Sequence, residues 1–202
     1  MKNYLHDLLE LASGANPSAD AALAAYYALS VCKYRQAAGP QAPPDPNQPT
    51  LEDCKGITAK DWADAPRLLK LAADLGNETA QISYARKEPL EGKKLEDFVQ
   101  NPEELVAFKD NANRYLLSAS EAGNTDAMYL MSEYLKNGDM MEKNLAAAYQ
   151  YKYAIFRSGA GSSSLNAEIT QLESQLTPEQ VKTAQDNAQA FLARCCQGGA
   201  HK

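Results

Sequence analysis

The sequence predicts an all-α protein, a stack of helix–turn–helix units forming an α-solenoid, and two observations lead there. Residues Ala119, Gly123, Ala127, Met131, Leu135 and Gly138 form a spaced pattern that resumes at Ala148, Tyr151 and Gly159, with a fainter copy at Ala72, Gly76, Ala80 and Tyr84. Gly123 and Gly159 are 36 residues apart, the length of one such unit, and Gly76 and Gly123 are 47 apart, the same unit carrying an insertion. Small residues recur where two helices must touch. Ala119 and Ala127 flank Gly123 four residues to either side, so each alanine falls on the buried stripe of its helix while the glycine relieves the backbone at the turn. Ala72, Gly76 and Ala80 repeat that spacing.

Punctuation orders the elements. A short helix at Lys2–Ala12 precedes Asn16-Pro17-Ser18, and Ser18 is placed to N-cap the strongly helical Ala19–Gln36. Six prolines or glycines between Gly39 and Pro49 forbid regular structure. Thr50–Lys55 reads as a short helix, with Thr50 and Asp53 at capping-box spacing. Asp61–Leu75 and Glu78–Arg86 make the first recognisable hairpin, and Lys87–Asn101 is a charged insertion expected as a loop with a helical turn. Pro102 opens the long helix Glu103–Ala122, which leads into Thr125–Asn137 and Leu145–Ser158. After a connector at Gly159–Ser164, Asn166–Gln175 and Pro178–Cys196 form a final hairpin whose second helix opens on Thr177-Pro178-Glu179-Gln180, an N-cap followed by a first-turn proline and an acidic first turn.

On these residues the chain resembles the Sel1-like repeat family, a relative of tetratricopeptide repeats. Ala119, Ala122, Gly123, Asn124, Ala127, Met131, Leu135, Gly138, Asn144, Ala148, Tyr151, Ile155, Phe156 and Gly159 keep that family's register through two helices. Met128, Leu135, Asn144 and Lys152 depart from its usual glutamine, aromatic, aspartate and second aromatic. The earlier copy, Leu69, Ala72, Ala73, Gly76, Asn77, Ala80, Gln81 and Tyr84, keeps the Gly-Asn and Ala-Gln pairs and loses its second half to the insertion. The resemblance covers roughly residues 65–159. It implies a right-handed solenoid whose closing helix, opening at Pro178, caps the last repeat, and it implies scaffold, adaptor or regulatory roles. Some small exported members look like immunity proteins.

With 202 residues the chain is long enough for one sizeable core, and it is expected as a single domain: N-terminal helices with a Pro-rich loop at 39–50, repeats at 61–159 with an insertion at 87–101, and capping helices at 160–202. The longest apolar run, Ala19–Val31, is interrupted by Asp20 and Ser30 and falls short of the ~20 residues a spanning helix needs, so no membrane insertion is expected. Met1–Gly14 does not read as a signal peptide, because His6, Asp7 and Glu10 interrupt the apolar region, so export would require a signal outside this sequence. The cysteines nonetheless favour export. Cys32, late in one helix, and Cys54, at the start of the next, are placed so that a disulfide would staple the Pro-rich connection. Closing such a loop contributes on the order of 3 kcal/mol by chain entropy, a model-dependent figure. Cys195 and Cys196 are adjacent, and because an eight-membered vicinal ring is strained, one of them is expected to pair elsewhere or stay free. The expected location is therefore periplasmic or cell envelope; four reduced thiols in a cytoplasmic protein are the alternative.

No catalytic chemistry stands out. The two histidines, His6 and His201, lie near the ends, and the absence of a C-x-x-C disfavours zinc. Ser158-Gly159-Ala160-Gly161-Ser162 lacks the lysine and preceding strand of a phosphate loop. Glu103-Glu104 and the Asp61/Asp64 pair fall at helix starts, where the macrodipole accounts for them. Net charge −6, with lysines dispersed among acids, disfavours nucleic acid. The expectation is a protein that is not an enzyme, needs no cofactor or metal, and binds a protein or peptide in a groove lined by the first helix of each hairpin.

The residues left free by the packing pattern are Tyr129, Glu133 and Tyr134 on Thr125–Asn137, and Ile82, Arg86 and Lys87 after Glu78. Tyrosine suits such a surface because its ring buries area while its hydroxyl stays polar. With 11 tyrosines against 4 phenylalanines and 1 tryptophan, however, most rings must be core or boundary residues. Trp62 is expected as a packing anchor of the first hairpin, and Tyr149, Tyr151 and Tyr153 must spread around their helix. A general adaptor ranks first, an immunity protein neutralising a secreted toxin enzyme second, and a binder or enzyme of cell-wall fragments third.

Overall fold

The computed structural model describes residues 4–38, 48–86, 90 and 95–196. Among them are ten α-helices and no strand: α1 Tyr4–Ser13, α2 Ala19–Ala38, α3 Ala59–Asp74, α4 Glu78–Ala85, α5 Leu95–Gln100, α6 Pro102–Glu121, α7 Thr125–Asn137, α8 Leu145–Arg157, α9 Ser163–Glu173 and α10 Pro178–Cys195. No helix among the described residues is long and apolar enough to cross a membrane. The chain divides into two compact units, Met1–Glu91 and Gly92–Lys202. Most of the Pro-rich loop, much of the 87–101 insertion including Lys87, and His201 lie outside the described residues.

In the first unit α2 packs between α1 and α3, and α4 returns along α3. The Ala-rich sequence of α2 permits this, since Ala22, Ala25, Leu29 and Cys32 are all but inaccessible. The Ser18 hydroxyl accepts from the amide of Ala21 at 3.2 Å, capping α2 as its position predicts. Cys32 and Cys54, both fully buried, stand with Cα atoms 5.3 Å apart and their sulfurs at bonding distance. The Gln36 amide donates to the Cys54 carbonyl across the same junction. Thr50–Lys55 is a turn rather than a short helix. Thr50 and Asp53 exchange the capping bonds their spacing predicts, but Gly56, at φ 88°, ends the segment before a second turn can form.

The Gly-Asn pairs build matching corners. Gly76 and Gly123 have φ of 87° and 91°, a region glycine enters without steric cost. Gly76 and Asn77 donate their amides to Ala73 and Ala72, and Gly123 and Asn124 donate theirs to Ser120 and Ala119. The asparagine side chains then cap the next helices, accepting from the amides of Ala80 and Ala127 respectively. Ala72, Ala80, Ala119 and Ala127 are fully buried, so each hairpin closes on small side chains.

In the second unit α5 packs on α6, and α6, α7, α8 and α9 pack in succession. Helix α10 turns back onto α8 and touches α6. Pro102 and Pro178 occupy the first turns of their helices, and Thr177 and Gln180 complete a reciprocal capping box. Tyr149 and Tyr151 are buried: Gln185 donates to the Tyr149 hydroxyl, and Tyr151 meets Phe191 edge-on. Tyr153 is half-exposed and stacks on Tyr149. Burial pushes the phenol pKa of both Tyr149 and Tyr151 upward. Cys195 and Cys196, one of which is expected to pair elsewhere or stay free, are instead joined to each other at the end of α10.

Candidate functional site

Helix α8 carries its core on Ala148, Tyr151, Lys152 and Ile155, an i, i+3, i+4, i+7 stripe. A lysine in that stripe points its stem into the protein, and Lys152 is completely inaccessible. Its ammonium must therefore find partners without water. Close approach of α7 supplies one. The two helices pack along their length, and the Ser132 hydroxyl donates to the Ala148 carbonyl at 2.8 Å. This brings Glu133 Oε1 to 2.9 Å from Lys152 Nζ. Glu168, from α9, makes a second ion pair with the same ammonium. The ring of Tyr129 closes the cage, its centroid 3.6 Å from Nζ, in cation–π contact.

Burial alone would favour a neutral lysine. The hydrogen bonds that Lys152 donates to Glu133 and Glu168, reinforced by the Glu133 charge, outweigh it and hold the Lys152 pKa above its ordinary value. For Glu133, burial works to raise the pKa, but hydrogen bonds and charges from Lys136 and Lys152 bring it below the usual carboxylate value. Lys136 Nζ lies 2.6 Å from Glu133 Oε2. Two ammonium groups and two carboxylates thus neutralise one another across three helices. Both carboxylates keep some contact with water, at 23% and 31% side-chain exposure, which moderates the desolvation cost of the ion pairs.

The cage fixes an exposed aromatic. Tyr129 is 40% exposed, with its buried face against the ammonium and its hydroxyl 3.5 Å from Glu168. Beside it opens a cleft of about 220 Å³, lined by Thr125, Asp126, Tyr129, Ile155, Ala160, Ser162, Ser164, Leu165 and Glu168. A larger hollow of about 380 Å³ lies between the start of α8 and α10. Its walls are amides, hydroxyls, alanines and Glu179, with no aromatic ring to contribute binding area.

Of the residues the packing pattern leaves free, Tyr129 and Glu133 meet in this cage, and Lys87 lies outside the described residues. Tyr134 is 7% exposed and belongs to the core, because it lies seven residues from Ala127 and three from Met131 on the same face. Leu135, expected in the core, is half-exposed. Ile82 is likewise buried, as are its neighbours from Ala80 to Ala85, since the short helix α4 is enclosed along its length. Arg86, at the end of α4 in the first unit, is exposed. Trp62 is half-buried with its indole N–H enclosed, as a packing anchor would be. Asp61 accepts from the amide and hydroxyl of Thr58, and these bonds hold its pKa low, accounting for the carboxylate as a cap. The sequence marks Lys152 only as a departure from an aromatic and does not mark Glu168, although the place of Lys152 on the α8 stripe is a usable signal for a buried ion pair.

No protein-family model matches the chain, and comparison with curated proteins finds none that matches it.

Proposed function

We propose that the chain is a non-enzymatic protein–protein interaction module, an adaptor or scaffold of the Sel1-like repeat type, that holds a protein or peptide partner on the α7–α9 face. The observation that carries this reading is the exposed Tyr129 ring, held from beneath by the Lys152 ammonium and bordered by a cleft of side-chain size. A ring already locked in place loses little entropy when a partner covers it, which favours binding. The matching Gly76-Asn77 and Gly123-Asn124 corners support the repeat reading and, with it, a right-handed solenoid closed by α9 and α10. The buried Cys32–Cys54 pair supports an oxidising location, periplasm or cell envelope.

The test is capture by the immobilised protein and by Tyr129→Ala from fractions of the organism that makes it, with circular dichroism to verify that the variant folds. A stoichiometric protein retained by the wild type and lost by the folded variant supports the proposal. If that partner is a secreted enzyme whose activity is suppressed in the complex, the module acts as an immunity protein rather than an adaptor. Equal retention by both proteins refutes the assigned face, and binding of glycan fragments in place of any protein refutes the class.

A further inference from the structure

The two cysteine pairs differ in what can reach them. Cys32 and Cys54 are both fully enclosed. Cys195 is half-buried and Cys196 exposed, the last residue of α10 and its C-cap. Beside them opens a hollow of about 280 Å³ walled by Glu121, Phe191, Arg194 and Cys195. On another side Cys196 rests against the corner between α6 and α7, where a Cβ on Gly123 would come within 3.3 Å of its sulfur. One disulfide is thus shut inside, between α2 and the turn that holds Cys54, while the other, in a strained eight-membered ring, stands at the surface beside Arg194 and Glu121.

We infer that Cys195–Cys196 is a thiol-exchange site, open to small thiols, that cycles between vicinal disulfide, mixed disulfide and dithiol while Cys32–Cys54 stays closed. Exchange requires a thiolate to reach a disulfide sulfur, and only the Cys195–Cys196 pair is open to one. The thiolate of a small thiol attacks Cys196 Sγ. The Cys195–Cys196 bond breaks, its electron pair goes to Cys195 Sγ, and that sulfur takes a proton from water. A second thiolate then attacks the sulfur of the bound small thiol, forming the small-molecule disulfide and releasing Cys196 as a thiolate, which is protonated in turn. The protein gains two electrons and two protons, and two small thiols are oxidised to one disulfide. Arg194 and Glu121 both wall the hollow, so their opposite charges offset and access carries the selectivity.

The experiment uses the full chain, oxidised in air, incubated with graded reduced glutathione, quenched in acid, alkylated and mapped by peptide mass spectrometry. The expected result is alkylation or a glutathione adduct on the Cys195–Cys196 peptide at rates at least about tenfold above those at Cys32 and Cys54, the margin expected when access separates the sites. The Cys195→Ser/Cys196→Ser variant should take up neither label on that peptide and should leave the slow rate at Cys32 and Cys54 unchanged. Equal rates at both pairs, resistance of Cys195–Cys196 to glutathione, or free thiols at these positions in the air-oxidised protein would each overturn the inference. So would reaction that appears only in denaturant, since the site would then be accessible through unfolding alone.

Discussion

Replacing Lys152 by methionine keeps most of the stem's packing volume and removes the charge on which three helices converge. Deleting one member of a fully buried ion pair costs roughly 3–5 kcal/mol, because the remaining charge stays buried without compensation. Here the remaining carboxylates are better placed: Glu133 and Glu168 retain 23% and 31% side-chain exposure, and Glu133 keeps Lys136 at 2.6 Å. The expected loss is therefore about 2 kcal/mol, which at a typical urea dependence of about 2 kcal/mol per molar shifts the unfolding midpoint by about 1 M. Glu168→Gln in the Lys152→Met background should restore part of the loss by removing the carboxylate left unpaired.

The pH dependence follows from the two shifts. Lys152 has a raised folded pKa, so its contribution is full below its ordinary 10.5 and disappears as pH climbs through the raised value. Glu133 has a lowered folded pKa, so its contribution is present above its ordinary 4.5 and is lost as pH falls through the lowered value. The gap between wild type and Lys152→Met should be widest between these limits and narrow on both sides. Urea titrations across that range measure it. A loss under about 0.5 kcal/mol, unchanged with pH, would refute the cage as a structural unit.

Three other outcomes are expected. Tyr134→Ala should cost about 3–5 kcal/mol, as large-to-small changes of a buried aromatic do, so denaturation should separate it from Tyr129→Ala, whose ring is 40% exposed. Gly123→Ala should destabilise more than Gly76→Ala: both force an alanine to positive φ at about 1 kcal/mol, but only at Gly123 does the new Cβ meet a neighbour, Cys196 Sγ at 3.3 Å. Reducing Cys32–Cys54, or replacing both by serine, should lower stability by about 3 kcal/mol, read as a midpoint shift in the first unit's unfolding.

The elements legible in the sequence are those whose cause is local. Gly76-Asn77 and Gly123-Asn124 announce their corners because a positive φ and an asparagine cap need only neighbours a few residues away. Thr125–Asn137 is readable to the residue, since Asn124 caps one end and Gly138, at φ 81°, closes the other. What escaped depends on how many neighbours a helix has. On α7, packed between α6 and α8, the buried face widens from a single stripe to Ala127, Met128, Met131, Ser132 and Tyr134, so two tyrosines five residues apart have opposite fates. Spacing within one helix cannot separate Tyr129 from Tyr134 without knowing which helices flank it. Lys152 shows the converse: read as a departure from an aromatic, it is nonetheless fully buried, and Glu133 and Glu168 reach in to neutralise it. Glu168 becomes its partner only when α9 folds back onto α8, a contact between elements that no local spacing encodes.

The central claim is that Tyr129, held by the Lys152 cage, is the contact surface. Its most direct test is the affinity of the captured partner for wild type, Tyr129→Ala and Tyr129→Phe, by calorimetry on folded proteins. A surface aromatic at the centre of an interface predicts a loss of about 2 kcal/mol or more, some thirtyfold in Kd, for Tyr129→Ala, and a small effect for Tyr129→Phe, which keeps the ring. Affinity unchanged in Tyr129→Ala would contradict the claim and move the contact surface elsewhere on the chain.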